Sequence, residues 1–153
     1  MLAALPMPLT FKDVAAIADE LPDVTVGAKW NHKTWMVGDR GFIWERPLNK
    51  ADIARFGGAP IPQGDILGVR VENLDAKDAL LAMELPGFFT IEHFNGYPAV
   101  LIALQKARAK DVRAAVLDAY RAMAPLATER PARARRRPAG RKVTRGAARA
   151  RPR

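Results

Sequence analysis

The final 24 residues, Arg130 to Arg153, carry eleven basic side chains and no acidic one. Arg130-Pro131-Ala132-Arg133-Ala134-Arg135-Arg136-Arg137 opens the run, and Arg141, Lys142, Arg145, Arg149, Arg151 and Arg153 continue it. Prolines at 131, 138 and 152 and glycines at 140 and 146 interrupt any helix, and almost nothing apolar is available to bury. A segment of this kind builds no core and is expected to be disordered when free. Whatever folds is therefore made from residues 1–129, which hold 14 basic and 16 acidic side chains. The chain's net charge of +9 thus hides a mildly acidic body joined to a strongly cationic tail. The body has the length of one domain and can bury most of its apolar surface. The expected layout is an N-terminal extension over 1–9, a folded domain over 10–127 and the Arg-rich tail over 128–153.

Within the body, turn signals group the elements. Thr10 with Asp13 three positions on reads as a capping box ahead of Phe11, Val14, Ile17, Ala18 and Leu21, which recur at helical spacing until Pro22. Lys33–Val37 and Phe42–Arg46 flank Gly38-Asp39-Arg40-Gly41 and read as a hairpin. With Asp39 and Arg40 as a two-residue loop, Val37 would face Phe42 and Trp35 would face Trp44, all on one sheet face. Such an aromatic cluster is either the buried face of the sheet or an exposed base-stacking platform. Asn49 is placed to cap a short helix ending at Gly57-Gly58. Ile66–Glu72 reads as a strand, Leu74–Met83 as a helix and Phe88–Phe94 as a strand. Asn95-Gly96 reads as a hairpin turn, Ala99–Leu104 as an apolar strand, and Lys110–Ala124 as a last helix closed by Pro125. Helix, three strands, helix, two strands, helix predicts an α+β fold: two layers, an antiparallel sheet with helices on one face.

Absences narrow the chemistry. The chain has no Cys, hence no disulfide framework, thiolate metal site or thiol nucleophile, and it has no Ser, so serine-hydrolase chemistry is excluded. His32 and His93 are the only imidazoles, and no spacing pairs either with Asp39, Glu45 or Glu92 as a general base would require. The Gly57–Gly64 loop is glycine-rich, but its two prolines and the lack of a following Gly-Lys-Thr argue against a phosphate cradle. No stretch approaches the roughly 20 apolar residues a membrane helix needs, and Met1–Leu9 makes a poor signal peptide. No catalytic residue, metal site or cofactor is expected, and no membrane insertion; the expected location is the cytoplasm, with nucleoid association open through the tail.

The tail points to polyanions. Each phosphate it neutralises releases counterions, so six to ten contacts would lose about three to five decades of affinity between about 50 and 200 mM salt. Such contact is nearly blind to sequence. The opposing reading is compositional, since Arg, Ala, Pro and Gly supply 21 of the 24 residues and all have GC-rich codons.

Trp35-Met36-Val37-Gly38 with Phe42, the strand Gly64–Val71, Lys77-Asp78-Ala79-Leu80-Leu81, and above all Phe88-Phe89-Thr90-Ile91-Glu92-His93-Phe94-Asn95-Gly96-Tyr97-Pro98-Ala99-Val100-Leu101 resemble the MmcQ/YjbR family, over roughly residues 10–127. The ending Ala119–Pro125 is similar to that family's final helix, with Tyr120 where Trp is more usual. The resemblance implies a two-layer α+β fold like the type III secretion chaperones and a DNA-binding, "double-wing" description, and it implies no catalytic residues. Its motif positions here are Trp35, His93, Gly96, Tyr97 and Pro98.

The expected function is non-enzymatic contact with nucleic acid. Arg133, Arg135, Arg136, Arg137, Arg141, Lys142 and Arg145 of the tail would meet phosphates, and Lys33, Arg40 and Arg46 around the first hairpin would add groove or shape readout. A second basic group, Lys106, Arg108, Lys110 and Arg113, surrounds the start of the last helix. Two alternatives stand beside this. One is a protein-interaction or chaperone-like module, with a protein partner or as a homodimer, its basic tail incidental. The other is a small-molecule domain with a pocket near His93, Tyr97, Trp35 and Trp44. A basic patch on the outer sheet face favours nucleic acid, a large apolar patch a protein partner, and a concave cavity a small ligand.

Overall fold

The computed structural model describes residues 8–128. Its elements are α1 (Phe11–Ala18), β1 (Val24–Lys29), β2 (His32–Val37), β3 (Arg40–Glu45), α2 (Lys50–Ala54), β4 (Ile66–Arg70), α3 (Leu74–Ala82), β5 (Phe88–Phe89), a 3-10 turn (Glu92–Phe94), β6 (Ala99–Ala103) and α4 (Ala109–Thr128). The strands form one six-stranded sheet in the order β1-β2-β3-β4-β6-β5, antiparallel at every pairing. This is the α+β architecture expected from the order of turn signals.

Helix starts follow the caps. The Thr10 N–H donates to the Asp13 carboxylate at 2.8 Å, Asn49 Oδ1 accepts from the Asp52 N–H at 2.8 Å, and Asn73 Oδ1 accepts from the Ala76 N–H at 2.8 Å. α4 does not stop at Pro125 but runs one turn further. The ring removes one hydrogen bond there, to the carbonyl of Arg121. Arg121 and Pro125 are both exposed, so water can take the freed carbonyl.

Three local readings differ from the sequence expectation, each for a physical reason. β1 was not expected. Only Val24, Gly27 and Lys29 of it are half-buried, so little hydrophobic alternation marks it, and it is held by main-chain pairing to β2 from Val24↔Val37 to Lys29↔His32. The β2–β3 loop is Gly38-Asp39, with Val37 opposite Arg40, and the register shifts at Trp35/Met36. Met36 pairs with Gly41 and Trp35 with Ile43, so Phe42 is the extra residue of a bulge. Trp44 then lies opposite Thr34, and Trp35 and Trp44 point to opposite faces instead of sharing one. Lastly, Asn95-Gly96 does not close a two-residue hairpin. β5 ends at Phe89, a 3-10 turn intervenes, and β6 begins at Ala99. Asn95 (φ −60°, ψ 130°) and Gly96 (φ +77°) are the centre of a type II turn, closed by Tyr97 N–H to Phe94 O at 3.0 Å.

The bulge separates two cores. On one face Trp35, Val37, Phe42, Ile43, Leu67, Val69, Val100 and Ile102 pack against Val14 and Ile17 of α1 and Val112, Val116, Ala119 and Met123 of α4. The α4 residues are the stripe its helical spacing predicts. On the other face Trp44, Ile66, Ile91, Phe94, Ala99 and Leu101 form a smaller cluster, with Leu48, Phe56, Phe89 and Tyr97 partly buried on it. β6 is buried at all five positions because both clusters use it. Among the described residues no helix is long and apolar enough to cross a membrane.

Candidate functional site

The outer face is covered at one end only, and the uncovered part is a cleft. Its floor is Trp44, which lies flat enough on β4 that a Cβ at Gly68 would sit 2.5 Å from its Cε2. Only glycine at 68 leaves room for the indole. One wall is the β1–β2 turn, Trp30-Asn31, where both residues take positive φ, +52° and +64°. That is the two-residue hairpin geometry that favours Asn-Gly and disfavours a bulky side chain. Trp30 is nonetheless there, 68% exposed, its ring 6.3 Å from that of Trp44 in an edge-to-face arrangement at 61°. The opposite wall is the type II turn with Phe94 and Tyr97 at its ends, and His93 of the 3-10 turn just ahead of it.

Two hollows share Trp30, Trp44 and Tyr97. The first, about 530 Å³, adds His32, His93, Phe94 and the Arg46–Asn49 segment. The second, about 320 Å³, adds Lys29, Thr34, Asp39, Arg40, Gly41 and Arg70 and reaches Met123 of α4 at the end of the sheet, with the Lys29 ammonium donating to Asp39 O at 3.2 Å. One half of the cleft is thus aromatic and the other cationic. The Arg70 guanidinium lies 5.4 Å from the Tyr97 ring centre. The Nε atoms of Arg40 and Arg70 are both buried and make no hydrogen bond among the described residues. A buried donor without a partner is costly, and such groups are uncommon in folded chains.

Two buried cations build the walls. Arg46 is 8% exposed; its Nη1 donates to Asp52 Oδ2 at 3.0 Å and to Pro47 O at 2.6 Å, and the guanidinium stands 5.5 Å from the centre of the Phe94 ring. Lys77 is 5% exposed, and its ammonium donates to Phe94 O and, at 2.8 Å, to Tyr97 O, the two ends of the type II turn. Burial holds it below the ordinary lysine value, with Asp78 pulling the other way. Both cations therefore fix the wall that carries Phe94 and Tyr97.

The residues expected from sequence divide accordingly. Arg40 lines the cleft, as do His93 and Tyr97. Gly96 is exposed in the turn, and Pro98 accepts from the Val71 N–H at 2.9 Å just ahead of β6. Arg46, expected to add groove or shape readout, is instead a buried wall residue whose guanidinium is paired with Asp52. Lys33 is exposed with its ammonium 5.2 Å from the Trp35 ring, and Trp35 belongs to the opposite core. A pocket at His93, Tyr97 and Trp44 is present, whereas Trp35 is excluded from it by the bulge. In the second basic group Arg108 is paired with Asp111 at 2.9 Å and Arg113 with Glu20 at 2.8 Å. Arg133, Arg135, Arg136, Arg137, Arg141, Lys142 and Arg145 lie outside the described residues. Among the described residues no group of three His, Asp or Glu side chains could hold a metal.

No family model matches the chain, and no solved structure matches it. Curated relatives do. The "Uncharacterized protein Rv2570" of Mycobacterium tuberculosis is 41% identical over 119 residues, which cover 76% of this chain and 89% of that protein. The "Uncharacterized protein Mb2600" of Mycobacterium bovis aligns with the same figures. The chain belongs to the family of these mycobacterial proteins. Nothing in their names speaks for a ligand, so the chemistry has to come from the cleft. Arg70 and Trp30, its two most informative residues, were not singled out from sequence. The available signals were a tryptophan inside a two-residue hairpin loop and a lone arginine ending an apolar strand beside Gly68.

Proposed function

We propose that this protein contacts nucleic acid without catalysis, and that the body takes part through the outer-face cleft. The observation that carries the reading is the joining of an aromatic hollow to a hollow containing Lys29, Arg40 and Arg70. Aromatic faces stack on bases and arginines meet phosphates, a pairing that serves strand binding without sequence readout. The Arg-rich segment from Arg130 onward adds non-specific attraction, and the resemblance to the MmcQ/YjbR family, which spans only the body, agrees with a role for the body. Of the features that discriminate between partners, a basic patch beside the aromatics favours nucleic acid over a protein surface.

The test is fluorescence anisotropy with a labelled oligonucleotide over a salt series, comparing the full chain with one ending at Glu129. Both hydrophobic cores of the described residues lie within 8–128, so the shortened chain keeps them. The full chain should bind tightly near 50 mM salt and lose affinity steeply as salt rises. The shortened chain should bind more weakly but still measurably near 150 mM. If the shortened chain fails to bind at any salt, the body is no nucleic-acid module and the reading fails for it.

A further inference from the structure

We infer that the cleft is built for one nucleotide unit, a planar base carrying a phosphate, whose base is unpaired. This rests on the nucleic-acid reading above and narrows it. Four observations carry it.

The first is the cost of Trp30. A bulky side chain at φ +52° occupies a backbone region that residues of its kind rarely adopt. A sparsely populated conformation of this sort persists where the surroundings hold it, and it is concentrated at working sites. Here the turn keeps an indole 68% exposed above the cleft mouth, edge-on to Trp44. In a core, that much aromatic surface would be buried. On this rim it is left for something to cover.

The second is size. The aromatic hollow of about 530 Å³ falls within the range of about 300–1,000 Å³ that suits a small organic ligand or one extruded base. The third is charge. The adjoining hollow of about 320 Å³ has three cationic residues, Lys29, Arg40 and Arg70, against one carboxylate residue, Asp39. A single phosphate is the anion that this balance accommodates. It would also give the buried Nε donors of Arg40 and Arg70 an acceptor. The fourth is shape. A paired base in a duplex already has both faces stacked and cannot enter a concave pocket without leaving the helix. A base in a single strand, or in a free nucleotide, shows its faces at no such cost. The chemistry is common to both sources, and the experiment separates them.

The full chain is titrated with adenosine monophosphate, with a short single-stranded oligonucleotide and with a duplex of the same sequence. Salt is held near 300 mM to weaken the tail's phosphate contacts, and tryptophan fluorescence reports the cleft. The mononucleotide and the single strand should both quench, the duplex far less. A stronger response to the strand assigns the site to an unpaired strand. An equal response assigns it to a free nucleotide. Trp30→Ala and Arg70→Gln should each weaken binding by at least about fivefold, and Arg135→Ala with Arg136→Ala should not. Each variant's folding is checked by circular dichroism, and Trp30, being exposed, is the safer of the two. Quenching that is equal for duplex and single strand overturns the inference. So does affinity unchanged in both cleft variants. In that case oligonucleotide binding by the chain ending at Glu129 would leave a nucleic-acid role for the body standing on a surface other than the cleft, while its absence would end both readings.

Discussion

The two faces of the sheet use the same strands to opposite ends. On the helix side, α1 and α4 cover Trp35, Val37, Phe42, Ile43 and Val69 completely, and each of these is at most 2% exposed. On the other side, among the described residues, Leu48 and Phe56 flanking α2 and Phe94 of the 3-10 turn pack on the sheet, and the cleft beside them is lined by Trp30, Trp44, Tyr97 and a set of cations. The sealed face holds almost no polar side chain, so its energetics reduce to area and fit. The open face holds a buried ion pair, a buried lysine, two unsatisfied guanidinium nitrogens and a tryptophan in an unfavourable turn conformation. The contrast teaches that the buried charges, the unpaired donors and the one bulky aromatic at positive φ gather on the face left open.

The largest expected break comes from the sealed face. Phe42→Ala removes a fully buried ring at the bulge and should cost about 3–5 kcal/mol in urea unfolding. If its cost were under about 1 kcal/mol, the bulge would not be anchoring the helix side. Next is Asp52→Ala, which strands the buried Arg46 charge and should cost about 3 kcal/mol, whereas Asp52→Leu combined with Arg46→Met should recover most of that loss. A double variant as unstable as the single one would mean the pair itself, not its desolvation balance, holds the wall. A smaller effect separates stability from function. Trp30→Asn suits the positive φ and should change stability by less than about 1 kcal/mol in either direction, while the nucleotide-induced fluorescence change is lost. Loss of both together would make Trp30 a packing residue.

The smallest effect lies away from both faces. Arg113 hydrogen-bonds Glu20 on the surface, and this pairing, followed by its charge, holds the Glu20 carboxyl below the ordinary value of 4.5. A carboxylate lowered on folding contributes stability above its unfolded value, and that contribution is lost as pH falls through the folded one. Arg113→Ala should raise the Glu20 carboxyl back toward its ordinary value by NMR titration. The stability difference from the parent chain should be present above that pH and fade below it, and it should shrink further in salt because the pair is exposed. A difference confined to alkaline pH would contradict the assignment.

Much of the fold was legible because local patterns and tertiary packing agree. The Thr10 and Asn49 caps, the α4 stripe and the apolar β6 each carry a signal within a few residues. β1 carries none, since an edge strand with few buried side chains is held by its neighbour's main chain. The site was legible only in part. His93, Tyr97 and Trp44 group as one candidate pocket at the sequence level, though no spacing in the sequence links them. Trp35 was wrongly placed with them because a bulge moves every later residue on its strand to the opposite face. Arg46 looked like a surface cation, and its partner Asp52 lies across a proline turn that no periodicity describes.

The amino-acid order alone determined that the chain divides into an acidic body and a cationic tail. It also determined that the body is α+β and that thiol and serine chemistry are absent. Those properties depend on composition and on short-range periodicity. Tertiary structure decided which aromatics meet, which cations remain available and where the cleft lies. The bulge at Phe42, the missing Cβ at Gly68 and the ties from Lys77 to the 94–97 turn set that outcome. Each acts through a contact whose partner is distant in sequence, or through a one-residue shift that no local pattern records.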